Sequence, residues 1–172
     1  MHKNYREPIK IKYLVIAIIG VVIFAAVLSF FTLRTSNKST SSQTKPKVEY
    51  TQLKKNLDQK FNGNGKIATI KQEDNINDKN GKNPHTVILV ILTDTQTQKY
   101  LKTTYEAVQN DKSSRDQQLY IASIQKIISD EAKKLHNNDD VIQFVYKDGK
   151  KYILVASSQK HRNLIKPVKV SN

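Results

Sequence analysis

The chain of 172 residues has no cysteine, no tryptophan, one methionine, five glycines and four prolines. Without cysteine there is no disulfide framework, no thiolate metal site and no lipid-modified cysteine. None of the glycines builds a phosphate cradle: Gly63 and Gly65 form G-x-G, but they follow a helical pattern where the dinucleotide fingerprint needs a strand. The four histidines, His2, His85, His136 and His161, lack zinc-ligand spacing. No G-x-S-x-G or S-x-x-K nucleophile motif is present. The loop around Asp74, Asn77, Asp78 and Asn80 has calcium-loop residue types but the wrong register, no closing Glu, and Lys79 and Lys82 within it. No cofactor and no metal site are implied.

Acid is also scarce. There are 29 Lys and Arg against 15 Asp and Glu, a net charge of +14. From Val48 onward 21 basic residues face 14 acidic ones, leaving +7 on the part able to fold as a domain. Such an excess favours anionic partners through a field screened over about 8 Å at physiological salt. Lys outnumbers Arg and Asn is abundant, as A/T-rich codons give, which points to a low-GC bacterium.

The strongest positive feature is the uncharged run "YLVIAIIGVVIFAAVLSFFTL", Tyr13 to Leu33. At 1.5 Å per residue, about 20 helical residues cross a hydrocarbon core of about 30 Å. Its apolar residues go all round the helix, with no polar face for water. The bilayer-contacting side chains are Tyr13, Leu14, Val15, Ile16, Ile18, Ile19, Val21, Val22, Ile23, Phe24, Val27, Leu28, Phe30, Phe31 and Leu33. A basic start (Lys3, Arg6, Lys10, Lys12) precedes it, but the run is too long for a cleaved signal and lacks a small-x-small pair near its end. It reads as an uncleaved signal anchor. Arg34, Lys38, Lys45 and Lys47 on the other flank weaken the positive-inside bias, yet the short N-terminal tail suits a cytoplasmic N-terminus.

The expected organisation is a basic cytoplasmic tail (1–12), a transmembrane anchor (13–33), a Ser/Thr-rich linker (34–47), an extracytoplasmic domain (48–157) and a basic tail (158–172). Within the domain, Tyr50, Leu53, Leu57 and Phe61 recur on one helical face, and "NGNG" suggests a left-handed cap after it. Lys66–Glu73 and His85–Thr93 read as strands, the second buried on both sides. A helical region follows, opened by Thr95 and Gln98 as a capping box and divided or weakened around 109–116. Val141–Tyr146 and Lys151–Ala156 read as a hairpin about Asp148-Gly149. Ile142, Phe144 and Tyr146 should share one face; Tyr152, Leu154 and Ala156 should share another. The fold class is α+β: one small domain in the order α-β-β-α(α)-β-β, an antiparallel sheet of about four strands, and helices on one face.

These features suggest a non-enzymatic binding or accessory protein of the bacterial envelope, with the lipid bilayer, an envelope protein, and an anionic wall polymer or lipid headgroups as partners. Candidate anion contacts are Lys160, Arg162, Lys166 and Lys169, in an acid-free tail whose interleaved Leu164, Ile165 and Val168 would suit a headgroup surface. Two alternatives stand beside it. One is an envelope hydrolase using two of Asp94, Asp139, Asp140 and Asp148. The other is a basic nucleic-acid binder of inverted topology, although aromatic interleaving for stacking is thin.

Overall fold

The computed structural model describes residues 49–77 and 84–171. The expected span at 13–33 and linker at 34–47 lie outside the described residues. Among those described, no helix is long and apolar enough to cross a membrane.

The elements are α1 (Thr51–Asn62), β1 (Ala68–Ile76), β2 (His85–Leu92), α2 (Thr95–Gln109), α3 (Arg115–Ala132), β3 (Val141–Asp148), β4 (Lys151–Gln159) and a two-residue β5 (Arg162–Asn163). They form an α+β domain with one five-stranded sheet in the order β1-β2-β3-β4-β5. The sheet is mixed, which corrects the antiparallel four-stranded expectation. β1–β2, β3–β4 and β4–β5 are antiparallel, but β2 and β3 run parallel from Val87↔Val141 to Leu92↔Tyr146. Two helices lie between β2 and β3, and that connection is long enough to bring the chain back to the same end of the sheet.

The helical region is two helices. Asp94 caps α2, its carboxylate accepting the Thr97 N–H at 2.7 Å, so Thr95 and Gln98 are not the capping pair. The reciprocal box sits at α3: Gln117 N–H donates to Ser114 Oγ, and Ser114 N–H donates to Gln117 Oε1. After α1, Gly63 stays right-handed at φ −60°. The turn is closed by the Asn62 amide, whose oxygen accepts the N–H groups of Ile67 and Ala68 at 2.9 and 2.8 Å.

All three helices meet one face of the sheet. Leu53 and Leu57 of α1, Leu101 and Tyr105 of α2, and Ile121, Ile124 and Ile128 of α3 pack with Ile88, Val90, Ile142 and Phe144. Phe61 and Phe144 lie with ring centroids 5.0 Å apart. The opposite face holds smaller clusters: Ile76, Val87, Leu89 and Val141, and next to them Val145 and Leu154. Between them Gln143 and its cross-strand partner Ser157 are buried, with Gln143 Oε1 and Ser157 Oγ lacking a hydrogen-bond partner.

The β3–β4 hairpin turns on Gly149 and Lys150, with Gly149 at φ +59°, a conformation glycine adopts freely. Phe144 pairs with Ala156 but Val145 pairs with Leu154, so Val155 is an extra residue. This bulge reverses the side-chain alternation. Ala156 joins the helix-side core, while Tyr152 and Leu154 turn to the other face, and the expected common face of these three is broken.

Candidate anion-binding surface

The last stretch of the chain is ordered by two sets of contacts. The first is a hairpin. β4 ends at Gln159, the chain turns at Lys160 and His161, and Arg162 and Asn163 pair back with Gln159 and Ser158. Arg162 Nε donates to Gln159 Oε1 at 2.6 Å, Ser158 Oγ donates to Asn163 Oδ1 at 2.8 Å, and Leu164 N–H donates to Ser157 O at 2.7 Å. The second set pins residues 164–171 as a strap running antiparallel to α3. Val168 N–H donates to Gln125 Oε1 at 2.8 Å, and Gln125 Nε2 donates to Val155 O at 3.1 Å. Farther toward the start of α3, Ser171 N–H donates to Gln118 Oε1 at 2.8 Å and Arg115 Nε to Ser171 O at 3.3 Å. Gln118 and Gln125 are seven residues apart, two helical turns, so both amides meet the strap on one side of α3.

This arrangement sorts the strap's side chains. Leu164 and Ile165 pack on the outer sheet face, and Val168 packs against the helix-side core. Arg162, Lys166 and Lys169 are exposed and Lys160 is half-buried. Among the described residues, no acidic side chain forms an ion pair with any of these four.

The four bases do not form one patch. Lys160, His161 and Arg162 border an open hollow of about 390 Å³ beside Ser129 and Lys133, at the C-terminal end of α3. Lys166 and Lys169 border a second hollow of about 320 Å³, with Gln118, Ser113 and Asp111, toward the N-terminal end. Ser129 and Gln118 are eleven residues apart, so the hollows are separated by roughly 16 Å along the helix axis. An acid offsets the charge of each hollow: Asp111 lines the second, and Lys133 of the first donates at 2.7 Å to Asp130, which also accepts from Lys126 at 2.6 Å. Those hydrogen bonds hold the Asp130 carboxyl down at about 2.

Lys133 is the basic contact that the tail's sequence does not disclose, since it comes from another element. The signal for the strap itself was Gln125, a buried glutamine next to Ile124 in an apolar stripe, whose amide bonds Val155 O and the Val168 N–H.

The candidate carboxylates divide between the two ends of β3. Asp139 and Asp140 precede it; Asp94 and Asp148 lie at its far end, roughly 25 Å away at strand rise. Asp140 is buried and takes three donors: Thr86 N–H at 2.8 Å, Tyr50 O–H at 2.5 Å and Asn137 Nδ2 at 3.0 Å. Tyr50 Oη also accepts the His136 N–H at 2.9 Å, and burial together with the Asp140 hydrogen bond pushes its hydroxyl up to about 12. Asp148 pairs with Lys102 at 2.8 Å, a contact that raises the Lys102 ammonium. The Asp94 carboxyl is lowered, first by the Thr97 hydroxyl and then by the Thr97 N–H. Among the described residues, no group of three His, Asp or Glu side chains is placed to hold a metal ion.

No known protein family, no curated protein and no solved structure matches the chain.

Proposed function

We propose that the chain is a membrane-anchored, extracytoplasmic binding protein of the bacterial envelope, with no catalytic role, whose domain takes an anionic partner. The observation that carries this reading is the uncharged run from Tyr13 to Leu33, followed by a Ser/Thr-rich tether and then a folded domain. The run fixes the protein to a bilayer and the tether gives the domain reach beyond it. The basic excess of the domain supplies long-range attraction to polyanions outside the membrane. The hydrogen-bonded Asp140 and the capping Asp94 favour a structural use of the carboxylates over a hydrolytic one.

The test is protease digestion of intact cells, probed by an antibody against residues 159–171, with the size of the membrane-bound chain read alongside. Loss of the epitope from outside, with a full-length chain in the membrane fraction before digestion, is the expected result. Protection of the epitope in intact cells and its loss after lysis would put the domain in the cytoplasm and overturn the reading. A soluble chain shortened by its first 33 residues would overturn the anchor.

A further inference from the structure

The strap sets four bases beside Lys133 at the end of α3, five on one flank of the domain in a defined order. Lys133, Lys160 and Arg162 flank the hollow at one end of α3; Lys166 and Lys169 flank the hollow at the other. We infer that the strap and the adjoining flank of α3 form a track for an extended, water-soluble phosphodiester polymer without bases, held by these two basic hollows at once.

Three observations select this occupant. First, each hollow alone is open and its charge is offset by an acid, Asp111 lining the second and Asp130 pairing with Lys133 of the first, so a single small anion gains little in either. A chain reaching both gains from the second contact being intramolecular. Second, the apolar residues that would let this stretch sink into a bilayer are used inward. Leu164 and Ile165 pack on the sheet and Val168 on the core. Among the described residues the exposed large apolar side chains are Tyr100 on α2 and Leu119 on α3, neither of them on the strap. What the strap offers outward is charge without an insertion face. Third, residues 159–171 contain no Phe, Tyr or Trp, so the strap itself offers no aromatic platform on which bases stack.

The assignment takes as given the extracytoplasmic location proposed above, since a base-free phosphodiester polymer is met there. Its test uses the full chain in nanodiscs of zwitterionic lipid. The probe is an end-labelled poly(glycerol phosphate), followed by fluorescence anisotropy. With the four strap bases as contacts, Lys133 being paired with Asp130, and the counterion-release slope of a single-stranded polyanion, affinity should fall roughly 50-fold between about 50 and 200 mM salt. The K160Q/R162Q/K166Q/K169Q variant, with unchanged circular dichroism and melting temperature, should lose at least about tenfold at the lower salt. K160Q/R162Q and K166Q/K169Q should each lose part of that. K150Q/K151Q, at the opposite end of β4, should lose none.

Equal binding by the strap variant and the parent would overturn the track. So would inorganic phosphate competing as well, phosphate for phosphate, as the polymer. Preference for phosphatidylglycerol vesicles would make the surface a membrane contact, and preference for a thymidine oligonucleotide of equal charge would make it a nucleic-acid contact; each overturns the assignment. Protease digestion separates the two failures. Polymer binding lost from a domain shown to be outside the cell sinks the track alone. A protected domain that binds the polymer sinks the location alone.

Discussion

The two ends of β3 both carry aspartate, and the fold uses the two in opposite ways. At its start Asp140 is 2% exposed and accepts from a backbone N–H, a tyrosine hydroxyl and an amide, with no cation among its bonded partners. At its end the Asp148 side chain is 41% exposed and is matched by one equally exposed lysine, Lys102. The hydrogen-bond lengths are similar, yet the energies are not. Where water is excluded a missing partner leaves a polar group with nothing to bond; where water is present it takes the partner's place. Asp140 therefore acts as a joint between α1, β2 and the α3–β3 connection, and Asp148 as a surface decoration.

The sharpest break of that contrast is Asp140→Ala. It leaves the Tyr50 O–H and the Thr86 N–H without their acceptor together and should cost about 3 kcal/mol in urea unfolding of the full chain in detergent. Tyr50→Phe removes one donor to Asp140 and the acceptor of the His136 N–H, and should cost about 2 kcal/mol. The double variant should cost clearly less than the sum, because both changes remove the same bond. Alkali tests the same joint. The Tyr50 hydroxyl is held from 10.0 up to about 12 in the folded chain, and Tyr105 is raised likewise by burial. The folded state keeps protons that the unfolded chain releases, so this stability is intact below pH 10 and is lost as pH rises through about 12. Unfolding midpoints measured between pH 8 and 11 should fall above pH 10, and less steeply in Tyr50→Phe. The smallest effect belongs to the other end of β3: Lys102→Gln should leave the urea midpoint nearly unchanged, and the small difference should shrink further in high salt.

The sequence disclosed what local periodicity controls. The stripe Tyr50, Leu53, Leu57 and Phe61 gave α1, and the apolar run from His85 gave β2. It concealed what depends on pairing. A continuous apolar strand marks burial on both faces but not the direction of its neighbour, so the parallel β2–β3 pair was invisible. The bulge at Val155 was equally hidden, because an extra residue has no composition of its own. The basic surface was half legible. The four charges of residues 160–169 stand in the sequence, but their division into two hollows follows from Gln118 and Gln125 anchoring the strap. The inward turn of Leu164, Ile165 and Val168 also needed the fold, since apolar residues between bases are the same letters whether they face a lipid surface or the domain's own core.

The parallel pair at the centre of the sheet has a consequence for how the domain is assembled. The strand pairs β1–β2 and β3–β4 are local in sequence and can zip early, each closing a short loop. Joining them places Val87 beside Val141 across more than fifty residues, so that union waits until α2 and α3 have shortened the intervening chain. Within the sheet, that seam is therefore the pairing with the longest stretch of chain to close, and the two hairpins on either side of it are the pieces that meet there.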